Sequence, residues 1–287
     1  MACLFVLGMQ HMGVHPVISS ALVTFLLTGL LRTLEIEGEF GPAIMCGSFL
    51  GMSLLPDLLW QPGRIPTGRT EELFAILLSI SGGLVYLCTH ALSERYSKMM
   101  LNGFGGKLGA TAFLATFLCT TSVRAVLGLP SFPDCAWGNF IPYLHENLFS
   151  TITAFSIAVS VAGAVAPFLF QGKGLYKLTA NDRVLLTALW GLCGGLLLLL
   201  IPIHRGNLAG SWYMGTFVSM TAFEIISSLP YLMVAGAIAP IFLTVLRFPF
   251  HGFGGVLGLS ALLSVFITYH LEPLRLHLGS RLLPDRS

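Results

Sequence analysis

Gly103-Phe104-Gly105-Gly106-Lys107-Leu108-Gly109 returns late in the chain as Gly252-Phe253-Gly254-Gly255-Val256-Leu257-Gly258, with six identities in seven positions. A second pair stands before it in the same order. Gly47-Ser48-Phe49-Leu50-Gly51-Met52-Ser53 matches Gly215-Thr216-Phe217-Val218-Ser219-Met220-Thr221, with three identities and four conservative changes. One such match can arise by chance in a chain with 32 glycines; two in the same order point to an internal duplication. Four glycines in seven residues are costly inside a helix, at about 1 kcal/mol each relative to Ala. They fit a place where a helix starts, with free backbone N–H groups and the positive dipole end at the glycines.

What surrounds these motifs is hydrocarbon. Of 287 residues, 55% are hydrophobic and 10% are charged, and the mean hydropathy is +0.82. Soluble domains carry about 25% charged residues, so the composition implies a bilayer. A helix rising 1.5 Å per residue needs about 20 apolar residues to cross about 30 Å of hydrocarbon. Segments at 15–32, 41–60, 73–92, 104–128, 146–170, 184–203, 209–226, 229–247 and 253–271 approach that length. The expected fold is an all-α polytopic membrane protein of about nine transmembrane segments, arranged as two inverted-topology repeats with Gly-rich broken or re-entrant helices. The expected organisation is an apolar N-terminal segment (1–14), repeat 1 (15–128), a linker with one connecting helix (129–183), repeat 2 (184–271) and a basic cytoplasmic tail (272–287). Met1 to Val14 has no basic n-region or small-residue cleavage site and is expected in the mature chain.

The loop charges set an expected orientation. Arg32, Arg95, Lys98, Lys173, Lys177, Arg183, Arg275, Arg281 and Arg286 gather on one side, and Arg64, Arg69, Arg205 and Arg247 on the other. That places the N-terminus outside and the C-terminus in the cytoplasm, in a membrane of the bacterial inner (plasma) type. Because four crossings and one linking crossing make an odd number, the second repeat enters from the opposite face. This architecture resembles that of secondary transporters in general, which bind solute between inverted repeats at discontinuous helices.

On that reading the substrate-binding candidates are Gly47, Ser48, Ser53, Gly103, Gly105, Gly106, Lys107, Gly215, Thr216, Thr221, Gly252, Gly254 and Gly255. The glycines supply N–H groups to an anion, and the hydroxyls bond either the solute or their own helix carbonyls. Lys107 stands where the second half has Val256 and reinforces anion binding, unless it snorkels to the interface. Asp57 and Glu224 follow the Gly-Ser/Thr-Phe motifs at nearly equal spacing and are the candidate coupling carboxylates, Glu224 expected to be the more buried because no basic residue flanks it. The blander alternative puts both at span ends among headgroups, and makes the glycines close-packing surfaces.

Other chemistries find little support. Cys3, Cys46, Cys88, Cys119, Cys135 and Cys193 form no CxxC and no metal spacing and read as packing residues. His11 and His15 share a helix face with no further ligand, His90 is followed by Glu94 at a span end, and His145-Glu146 is no HExxH. No catalytic residue, metal or cofactor is expected, and with a net charge of +2 nucleic acid is not a partner. The expected partners are the lipid bilayer and a small-molecule or ion substrate, with a homo-oligomer compatible. The function expected is a secondary transporter of a small anionic or zwitterionic solute, proton- or cation-coupled; the alternatives are a channel, or a non-catalytic membrane subunit of a larger complex.

Overall fold

The computed structural model describes residues 1–36, 38, 40–59, 68–96, 103–129, 139–171, 179–201, 205–222 and 224–282. Arg64, Lys98, Cys135, Lys173, Lys177 and Arg286 lie outside the described residues, as do the side chains of Arg205, Arg275 and Arg281. The described residues are helical, with no strand. In chain order the helices are α1 (Ala2–His11), α2 (Pro16–Thr33), α3 (Phe40–Gly51), α4 (Leu55–Leu59), α5 (Gly68–Arg95), α6 (Lys107–Val126), α7 (Phe140–Leu148), α8 (Thr151–Gln171), α9 (Ala180–Leu199), α10 (Arg205–Ser219), α11 (Leu229–Arg247) and α12 (Val256–Leu282).

Six of these, α2, α5, α6, α8, α9 and α11, are long and apolar enough to cross a bilayer. The chain is a multi-pass integral membrane protein. Of the nine expected segments, 41–60 and 209–226 are not continuous helices. The first is divided into α3 and α4 by a break at Ser53 and Leu54. With 12 residues α3 is about 18 Å long, too short for the hydrocarbon core. The second ends at Ser219 and gives way to turns before α11. Hydropathy registers apolar content, not hydrogen-bond continuity, so both breaks escaped it.

Local chemistry explains where helices begin. His15 caps α2, its Nδ1 accepting from Val17 N at 3.3 Å, with Pro16 fixing the first turn. Thr179 caps α9: its Oγ1 accepts from Asp182 N at 3.2 Å and donates to Asp182 Oδ2 at 2.9 Å. The starts of α6 and α12 need glycine. Gly106 and Gly255, at φ +84° and +85°, turn the chain into each helix through the left-handed region.

Two helix pairs organise the bundle, and in each the partners run antiparallel. On α2 and α9, Gly29 faces Leu185 while Gly195 faces Ile18, and Arg32 at the end of α2 meets Asp182 at the start of α9 at 2.7 Å. Across α6 and α12, Phe104 stacks on Phe266 and Tyr269, whereas Phe113 stacks on Phe253 and Phe250. The crossing point is Gly109 against Gly258, where a Cβ on either would overlap the Cα of the other. Small residues let the backbones touch, as membrane helices require for close packing. Around this centre α1 packs on α2, α3 and α5, and α8 packs on α9, α10 and α11.

Candidate solute-binding vestibules

Each Gly-Phe-Gly-Gly loop is latched to the broken helix of the other half. Thr221 Oγ1 accepts from Gly105 N at 3.2 Å, and Ser53 Oγ accepts from Gly254 N at 3.0 Å. Ala222 N donates to Gly103 O at 2.7 Å, and Leu54 N donates to Gly252 O at 2.8 Å. Residues that freed their backbone groups by ending a helix thus recover partners from the opposite loop, which is what a polar backbone away from water requires. The contact is reciprocal, residue for residue.

A cavity opens on each side of this latch. The first has two connected lobes of about 220 and 710 Å³ that share Pro42, Gly103, Lys107, Leu108 and Ala180. The starts of α3, α6 and α9 border it. The second, of about 340 Å³, is bordered by the starts of α2, α10 and α12 through Pro16, Gly206, Asn207 and Val256. It adjoins a recess of about 90 Å³ with which it shares Asn207, Leu243 and Arg247. Because α2 and α9 run antiparallel and their starts border different cavities, the two vestibules open at opposite ends of the bundle. Phe49 and Phe217, which line the smaller lobe of the first vestibule, belong to a buried aromatic cluster: they meet edge-on at 4.8 Å between centroids, and Tyr213 and Phe217 at 4.4 Å.

Three helix starts per vestibule amount to about 1.5 positive charges in all, at about half a charge each. A cation adds to this on either side. Lys107 lines both lobes of the first vestibule and donates from Nζ to Ser93 Oγ at 2.7 Å; Arg183 borders the smaller lobe. Arg247 stands in the second vestibule, its Nη1 donating to Asn207 Oδ1 at 3.0 Å. His90 and Glu94 border the first vestibule 3.7 Å apart, whereas among the described residues no Asp or Glu lines the second, Asp57 standing behind its lining residue His251.

No family model matches this sequence, and neither a curated protein nor a solved structure does. The geometry therefore carries the functional reading alone.

The sequence candidates divide into three groups. Gly103, Gly106 and Lys107 line the first vestibule, and Gly252 and Gly255 the second. Gly105, Gly254, Ser53 and Thr221 form the latch between them. Gly47 and Gly215 face neither vestibule: Gly47 packs on Ala2 and Cys3, and a Cβ on Gly215 would overlap Ser160 O. These two are close-packing glycines. Ser48 sits in a buried hydroxyl network, 2.8 Å from Thr24 Oγ1 and 3.0 Å from Ser20 Oγ, and Thr216 donates to Tyr213 O at 2.6 Å. Glu224 is not buried; it stands exposed in the turn after α10. Asp57, at the end of the first broken segment, lies 3.2 Å from His251 Nδ1.

Sequence reasoning missed Arg247 and Asn207, which are 40 residues apart and meet only through the packing of α10 on α11. Arg247 reads in sequence as an ordinary charge at a span end. Arg124, at membrane depth in α6, is 3% exposed, and its Nη1 donates to Leu58 O at 3.0 Å. That bond ties α4 to α6.

Proposed function

We propose that the protein is a secondary transporter that moves a small anionic or zwitterionic solute between the two vestibules by rocking one half of the chain against the other. The halves are inverted repeats, with α1 to α6 answering to α8 to α12; this assigns the N-terminal segment to the first repeat and the connecting helix to the second. What carries the reading is the pair of vestibules at opposite ends, each edged by three helix starts and a cation, with a reciprocal latch between them. The antiparallel course of α2 with α9 and of α6 with α12 supports the inversion, and Arg32, Arg95 and Arg183 at one end support a cytoplasmic first vestibule.

In this mechanism the helix starts and Lys107 attract the solute's anionic group. The latch bonds at Gly105 and Gly254 exchange as the halves rock, and the Phe49–Phe217 contact closes the path on one side at a time. Alternating access of this kind is saturable and shows exchange across the membrane. Purified protein in liposomes should therefore give trans-stimulated counterflow with one member of a labelled panel of phosphate, small carboxylates and amino acids. Linear, unsaturable flux would make the protein a channel, and no flux of any panel member would overturn the reading.

Coupling in this mechanism runs through Asp57, because its contact with His251 joins the broken helix of one half to the loop of the other. Asp57→Asn should lower accumulation driven by a pH gradient several-fold while exchange persists. Glu224→Gln should leave accumulation unchanged, since Glu224, exposed like Asp57, has no ion pair to the other half among the described residues. The opposite ranking in the same liposomes would return the coupling role to Glu224.

A further inference from the structure

We propose that the recess beside Arg247 is a binding site for an oxyanion, a phosphate or carboxylate group held in the fork of the guanidinium; under the transport reading, on which this rests for its biological meaning, it seats the anionic end of the solute at the second vestibule. Arg247 ends α11 and lines both the vestibule and the recess. Its partner Asn207 is neutral. Among the described residues Arg247 has no ion pair, and no Asp or Glu lines either cavity. Arg247 is half-buried at the cavity wall, where an entering anion meets no competing carboxylate among the described residues, and a guanidinium fork fits the two oxygens of a carboxylate or phosphate side by side. The counter-charge is the ligand's.

The recess suits such a group in size and in chemistry. Its 90 Å³ leaves room for one small oxyanion. Tyr143, Asn147, Ser150, Thr153, Ser156 and Ser211 present hydroxyl and amide groups to it from α7, α8 and α10 and the short turn between α7 and α8. Local bonds fix several of them: Asn147 Nδ2 donates to Tyr143 O at 2.8 Å, and Ser211 Oγ to Asn207 O at 2.9 Å. The hydroxyls of Tyr143, Ser150, Thr153 and Ser211 already donate to backbone carbonyls, so the second Nδ2 hydrogen of Asn147 and the Ser156 hydroxyl are the donors that can serve the oxygens the fork does not reach. Lys107 in the first vestibule also has hydroxyl residues about it, Thr89, Ser93 and Thr111, but shares that lining with a carboxylate, Glu94.

The test uses the full chain in nanodiscs of neutral phosphatidylcholine, titrated with inorganic phosphate against chloride at matched ionic strength. The wild-type melting temperature should climb with phosphate, because a ligand that binds only the folded state stabilises it. Arg247→Gln should abolish the climb, and Arg95→Gln, at an exposed arginine that lines neither the vestibules nor the recess, should keep it. Asn147→Asp places a carboxylate where Arg247 can pair with it and should weaken phosphate at least about tenfold; it decides the matter if Arg247→Gln does not fold. A second arm replaces part of the lipid with phosphatidylglycerol. Stabilisation by that lipid alone, dependent on Arg247, makes a headgroup the source of the oxyanion, whereas phosphate binding in neutral lipid makes it a soluble ion. No climb in either arm, or an equal climb with and without Arg247, overturns the site. The transport reading fails separately: Arg247-dependent binding without counterflow removes the carrier and keeps the site, and undiminished counterflow in Arg247→Gln removes the site and keeps the carrier.

Discussion

Replacing Gly109 or Gly258 with alanine should strongly destabilise the protein. At this crossing of α6 and α12 the added carbon overlaps a Cα of the facing helix, not the end of a side chain that could swing aside. Ordinary overpacking costs about 1–3 kcal/mol because neighbouring side chains give way. Here the backbones must part, and the contacts of Phe104 with Tyr269 and of Phe113 with Phe250 part with them. A loss of at least about 3 kcal/mol is expected, at the top of that range. It should be equal for the two sites, and the double variant should lose little more than either single, since the first methyl already separates the helices. Gly83→Ala is the control: it meets nothing within 4 Å, and in a helix interior it should gain about 1 kcal/mol. Thermal unfolding in a fixed detergent measures all four. A Gly109→Ala melting point equal to wild type would show that α6 and α12 do not cross at this glycine.

The largest effect on activity is expected at the latch. A Cβ on Gly105 would press on Phe217 O and lie 2.6 Å from Thr221 Oγ1, and one on Gly254 would press on Phe49 O and Ser53 Oγ. The carbonyls involved close the last turns of α10 and α3, so they cannot retreat without unwinding the helix ends. Gly105→Ala and Gly254→Ala should each cut the initial rate of solute exchange at least about tenfold, the equivalent of about 1.4 kcal/mol in barrier, while the protein remains in the membrane. Ser53→Ala and Thr221→Val remove only the acceptor and leave the space open. They should cost the fold about 1 kcal/mol and slow exchange less. Losses matched between the two halves are the signature of a two-fold moving part. Loss at one glycine with full activity at the other would show that only one half moves.

The sequence by itself determined the solvent and showed one Gly-rich motif twice. Apolar composition is a property of residues summed without regard to partners, so the bilayer and the helical class followed from it directly. Identity between Gly103 to Gly109 and Gly252 to Gly258 is likewise visible without coordinates, and glycine's cost inside a helix located two helix starts correctly at Lys107 and Val256. The pairing of Ser53 with Gly254 and of Thr221 with Gly105 could not be read in this way, because each bond joins opposite halves of the chain. Nor could the breaks after Gly51 and Ser219, since a helix ending in an apolar run leaves hydropathy unchanged and is tolerated only where another loop takes up its free backbone groups. Gly47 and Gly215 show the converse, a repeated motif whose first glycine serves packing against α1 and α8. Arg247 shows the same limit for charge: its place beside Asn207, with no acid in either cavity, arises from four helices meeting at one end of the bundle. Tertiary structure alone decided which charges share a cavity, because electrostatic partnership depends on distance through space and not along the chain.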